Sequence, residues 1–195
     1  GNMGLPICLF AYGDKGLGVA AAISSLIILM HFTVGVFLAD RKFNLDVILK
    51  NPPFYSIVFS AFILYFEIQL PQVVVNTTEW LTFATIFLIL MSLGIALTRL
   101  KVFSLNKAIF SSLSRVILGP IIGFGLIKFF NLSGFAAGVL LIQTSMPSAV
   151  LNYLIASIYS PKKIVDSIAS TIVVSTLMSF VTVPIVVFIA LKYFS

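Results

Sequence analysis

The stretch QTSMPSAVLNYL, residues 143–154, decides how this chain folds. It lies in an apolar segment long enough to cross a bilayer, which takes about 20 residues of helix. Yet it carries Pro147, the amides Gln143 and Asn152, and the hydroxyls Thr144, Ser145 and Ser148. Proline has no N–H, and its ring displaces the carbonyl four residues back, at Gln143. In hydrocarbon every freed backbone group needs a partner from protein or from water in a cavity. Two readings are open. One is a proline kink patched by neighbouring hydroxyls. The other is an unwound midpoint whose polar groups bind a solute. Ser148 and Asn152 are four apart, so a helix places them on one face.

The rest of the chain sets the surroundings. Of its 195 residues, 60% are hydrophobic and 9% charged, with a mean hydropathy of +1.16. A soluble domain carries roughly 25% charged residues. These figures imply an all-α membrane protein, a polytopic helix bundle. Cys8 is the single cysteine, which excludes an internal disulfide and a thiolate zinc cluster. His31 is the single histidine, which argues against a histidine metal site or a triad. No cofactor, no metal and no catalytic set is expected, so the chain does not read as an enzyme. The formal charge of +6 lies in short loops, where it sets orientation rather than binding nucleic acid.

Apolar spans are predicted over 17–39, 53–70, 80–97, 108–130, 134–159 and 164–191, with Trp80 at an interface position. Residues 4–12 make only half a span, the second half of a broken helix. A chain that opens on Gly1-Asn2, with no basic run and no cleavable signal in its first residues, reads as beginning inside an element with N-terminal sequence missing; removal of an initiator Met before Gly1 is the alternative. The loops are basic on alternate sides. Arg41, Lys42, Lys50, Arg99, Lys101, Lys107, Lys162 and Lys163 stand on one side, against Lys15, Lys128 and Lys192 on the other. That bias puts the first set in the cytoplasm and the C-terminus outside.

Two blocks follow the same plan. GLPICLFAYG precedes a DKG turn and a long helix; MPSAVLNYLIASIY precedes an SPKK turn and another. Loop charge places the first turn outside and the second inside, so the blocks are inverted. Inverted repeats with discontinuous helices are a recurring transporter plan. In the first block Asn2, Gly4 and Pro6 match the amide and the break around Pro147, with Gly4 giving backbone freedom. Gln143, Ser145, Pro147, Ser148 and Asn152 form the other side. If the two breaks cross, helix N-termini there favour an anionic group.

Charged groups within spans are costly and therefore suspect. Arg115 either snorkels to the interface or reaches a carboxylate. Glu67 is an interfacial carboxylate or a proton or cation site. His31 is a helix-packing histidine or a proton relay. Asp166 is expected in the first turn of its helix, serving the dipole. Gly119, Gly123, Gly125 and the Gly134-x-x-x-Gly138 pair are expected to let helices approach closely.

These segments, in order, resemble the auxin efflux carrier family. GNMGLPICLFAYGDKGLG is similar to the region of its fourth helix, LKNPPFYSIVFSAF to the start of its sixth, SRVILGPIIGF to its eighth and TSMPSAVLNYLIASIY to its ninth. The resemblance implies an inverted-repeat transporter fold with two proline-broken crossover helices, related to the bile acid sodium symporters. On that plan 1–39 is the end of the first repeat, 40–52 a cytoplasmic loop and 53–195 the complete second repeat. The first three helices would be absent. The family's substrates imply a small organic anion moved across the plasma membrane by alternating access. Expected partners are membrane lipid, that anion, a coupling proton or sodium ion, and a second copy in a homodimer. The alternatives are a non-transporting receptor or assembly subunit, an inactive fragment of a transporter, or an enzyme whose catalytic groups lie elsewhere.

Overall fold

A computed structural model describes residues 3–40, 52–99, 102 and 105–194. Helices account for nearly all of them: α1 (Gly4–Met30), a π-helical segment (His31–Gly35), α2 (Val36–Asp40), α3 (Pro52–Tyr65), α4 (Gln72–Arg99), α5 (Leu105–Phe129), α6 (Gly134–Thr144), α7 (Val150–Tyr159) and α8 (Lys162–Tyr193). Among the described residues, Gly4–Ala39, Gln72–Ser92, Leu105–Phe129 and Lys162–Tyr193 are long and apolar enough to cross a membrane. The protein is an all-α integral membrane protein.

The core forms around α6, which packs against α1, α5 and α8, while α5 also packs on α8. Cys8, Ala20, Ala137, Val139, Leu141, Ile142, Met146, Val186 and Ala190 are among its buried residues. Many are small. Helices in lipid gain little from hiding apolar surface, so close approach of backbones holds them together. Gly119 on α5 lies against the Thr144 carbonyl, Gly123 against the Thr144 side chain, and Gly138 on α6 against the Tyr12 ring. A methyl group at any of the three would collide with these neighbours. Two of the expected contact glycines behave differently. Gly125 faces open space, and Gly134 opens α6 at φ +62° with nothing near it, so residues 134–138 are not a packing pair.

The first span departs from expectation in two places. The DKG turn is helical, and the chain bends instead at Gly13, with φ 64° and ψ −155°. Only glycine adopts that conformation without large strain. The bend brings Gly16 against the Cys8 carbonyl. Further along, the helix widens into the π-helical segment. There the His31 Nδ1 donates to the Ile27 carbonyl at 2.7 Å and the Thr33 hydroxyl to the Leu29 carbonyl at 2.9 Å. These side chains occupy carbonyls from the preceding turn around the widening.

Other boundaries also move. α3 ends at Tyr65 rather than near residue 70, and Glu67 follows in a left-handed conformation (φ 48°). α4 begins at Gln72, so Trp80 stands inside the helix. The polar run before it is accommodated in the helix, with the Thr77 and Thr78 hydroxyls donating to the Val73 and Val74 carbonyls one turn back. α8 starts at Lys162, which puts Asp166 beyond the first turn.

Candidate functional site

The helix predicted over 134–159 is two half-helices. α6 ends at Thr144, residues 145–149 are non-helical, and α7 starts at Val150. Ala149 is extended, with φ −74° and ψ 139°. Proline alone does not cause this, because α5 and α8 run unbroken through Pro120 and Pro184. What differs is the handling of the freed groups. The Ser148 N–H donates to Ser175 Oγ on α8, at 3.2 Å. The Ser145 hydroxyl donates to the Leu141 carbonyl at 2.7 Å, and the Thr144 hydroxyl lies 3.0 Å from both the Leu140 and Leu141 carbonyls. The Met146 N–H lies 3.4 Å from the Gln143 carbonyl that Pro147 cannot serve. Side chains thus satisfy the interruption, as a water-poor setting requires.

Gln143 joins this break to the first block. It is 2% exposed, and its Nε2 lies 3.3 Å from Ser24 Oγ and 3.4 Å from the Ala20 carbonyl, both on α1. Gly4, at the start of α1, packs directly on the Gln143 side chain. The role expected of Gly4 therefore changes. It makes room for the crossing and does not supply an unusual backbone angle. Pro6 is also reassigned. It sits in the first turn of α1, where its missing N–H has no intrahelical partner to lose. Asn2 lies outside the described residues.

The opposite face of the break opens into a cavity of about 460 Å³. Ser148 and Asn152 line it together, on the face that their spacing predicts. His31 enters from the π-helical segment, Ser111 from α5, and Ser167 and Thr171 from α8. The described lining holds no lysine, arginine, aspartate or glutamate. The cavity lies toward the end of the molecule that carries Lys107, Lys162 and Lys163, since Ser111, Ser160 and Ser167 neighbour them in sequence.

The proposed set thus divides. Gly4, Gln143 and Ser145 belong to the buried crossing, and buried Pro147 sits at the break itself. Ser148, Asn152 and His31 face the cavity. Arg115 and Glu67 are exposed and line neither. Sequence reading missed Ser111, Ser167, Thr171 and Ser175. Hydroxyls are common in membrane helices, and only a known helix neighbour would have singled these out.

Residues 41–187 match a family described as membrane transport protein. Over 193 residues the chain is 28% identical to an uncharacterized transporter of Methanocaldococcus jannaschii, an alignment covering 94% of this chain and 62% of that protein. The chain therefore spans less than two thirds of that relative's length. No solved structure matches the chain.

Proposed function

Because the chain belongs to the membrane transport protein family, that of the auxin efflux carriers, we propose that it works in a secondary transporter for a small organic anion. The observation that carries this reading is the interruption at residues 145–149, met by the start of α1 at the Gly4–Gln143 contact. A crossing of this kind puts polar backbone and side chains inside the helix bundle. Discontinuous helices in transporters serve as substrate sites. On this reading the anion contacts Ser148 and Asn152 from the cavity. The two helix bundles then rock around it, in alternating access, in a plasma membrane with the basic loops inside. A non-transporting receptor is favoured by continuous helices, and the break at Pro147 counts against it.

The test is uptake of a labelled carboxylate into vesicles containing the purified protein. Combined Asn152→Ala and Pro147→Ala substitution is expected to lower uptake by on the order of tenfold or more, as one lost polar contact implies. Unchanged uptake at equal protein content would remove the site from this position.

A further inference from the structure

His31 is the ionisable side chain among the described residues lining the cavity; the other polar groups there are hydroxyls and the Asn152 amide. Its Nδ1 is committed to the Ile27 carbonyl at 2.7 Å. A carbonyl only accepts, so Nδ1 carries the hydrogen. In the neutral ring Nε2 is then a bare acceptor, which offers an anion nothing. In the protonated ring Nε2 becomes a donor and the ring a cation. Among the described lining residues, positive charge in the cavity therefore depends on one proton.

Among the described residues, no other charged side chain lines the cavity. The elements packed on the π-helical segment are α1, α2 and α7. On α1, Lys15 and Asp14 lie about 24 Å or more away along the axis, with Tyr12 and Cys8 beyond them across the Gly13 bend. On α2, Asp40 is nine residues on, about 13 Å along the axis. On α7, Tyr153 and Tyr159 are not part of the lining. From α5 and α8, which close the cavity's other walls, none of Lys107, Arg115, Lys162, Lys163 and Asp166 lines it. The π-helical turn is a second mark, since such widened turns concentrate at functional sites.

We propose that His31 is the proton site of this transporter: an anion occupies the cavity against the protonated ring, and one proton crosses with each anion. The proposal rests on the transporter reading above and adds the coupling ion to it. The balance is simple. One proton is taken up at Nε2 on loading, and both proton and anion leave on the far side, which returns the ring to its neutral form. Within the described lining, a single positive charge balances one negative charge, so a dicarboxylate is expected to bind more weakly than a monocarboxylate.

Benzoate is the probe, with succinate as the doubly charged comparison. Binding to the purified protein in lipid nanodiscs is measured by calorimetry from about pH 5 to about pH 8, across the range where histidine changes charge. Benzoate affinity is expected to fall as pH rises, by up to about tenfold per pH unit at the alkaline end. There, about one proton should be taken up per benzoate bound, read from buffers of different ionisation heat. His31→Gln keeps a hydrogen-bonding amide without the charge. It should bind weakly, with no pH slope and no proton uptake. Ser167→Leu fills the cavity from α8 and leaves the ring in place. It should weaken binding at every pH with the slope retained.

Wild-type binding that ignores pH, a wild-type slope in His31→Gln, or no benzoate binding at any pH overturns the proposal. Vesicles that take up benzoate above protein-free controls, with rates indifferent to pH, discard His31 and keep the transporter. Vesicles that move neither benzoate nor succinate at any pH discard both.

Discussion

The packed unit of α1, α5, α6 and α8 and the pair α3 and α4 are drawn from the same apolar palette, yet they end in opposite conditions. In the first, glycines and hydroxyls sit where helices touch, and Gln143 is sealed among them. In the second, large side chains face outward: Phe59, Leu64, Tyr65, Trp80, Phe87 and Leu88 are all well exposed. α4 stands off from α1 across an apolar gap of about 310 Å³, lined by Leu5, Leu17, Thr78, Leu81 and Ile86. Hydrophobicity does not separate the two regions. Small size and placed polarity do, because in lipid a bulky apolar surface is already solvated and has no reason to pack.

That contrast is most sharply tested by adding one methyl group in each region. Gly119→Ala drives a Cβ into the Thr144 backbone, which cannot step aside cheaply. Overpacking of this kind costs about 1–3 kcal/mol. Gly94 on α4 has nothing near it, so Gly94→Ala gains helix propensity and stabilises by roughly 0.5–1 kcal/mol. The two should shift thermal unfolding in detergent in opposite directions. Shifts of the same sign would mean that small size is not what distinguishes the core.

A second comparison uses one substitution in both places. Gln143→Met keeps the length of the side chain and removes its amide from Ser24 and Ala20. Stranding those partners should cost about 1–2 kcal/mol. Gln72→Met on α4 removes an exposed bond to Asn76 and should change stability by under about 0.5 kcal/mol. Equal effects would show that the amide at the crossing is structurally idle. A third test concerns Tyr12, whose hydroxyl is buried against Gly138 with no hydrogen-bond partner among the described residues. Tyr12→Phe should be neutral or stabilising by up to about 1 kcal/mol in the same unfolding measurement. A clear loss would reveal a partner for that oxygen.

Much of this architecture is legible in the chain itself. The spans follow from runs of apolar residues, and the break at Pro147 from a proline surrounded by hydroxyls. The distinction between Pro147 and the tolerated Pro120 and Pro184 is not legible, because it depends on Ser175 arriving from another helix. The same limit hides the Gly4–Gln143 contact, which pairs residues far apart in sequence. The π-helical segment leaves no trace in composition, since it is a shift of hydrogen-bond register. The start of α4 lies ahead of the apolar span because the polar Asn76-Thr77-Thr78-Glu79 run is itself helical, its threonine hydroxyls turned back onto carbonyls of the preceding turn. At the site, the face shared by Ser148 and Asn152 follows from spacing alone. The partners that complete the cavity do not.

The bend at Gly13 has a mechanical meaning. One residue separates the helical stretch over residues 4–12 from the long helix behind it, so the junction has a single pair of backbone torsions to turn about. The short arm is nine residues, about 13 Å. A swing of roughly 10° at the elbow carries its tip about 2 Å at that arm length. A displacement of that size at Gly4 would shift it on the Gln143 side chain, and Cys8 and Tyr12, packed in the core on the same stretch, would have to yield with it. Any lever motion of this stretch would pivot on that one glycine, with Gly4 resting on the side chain that precedes the break in the other helix.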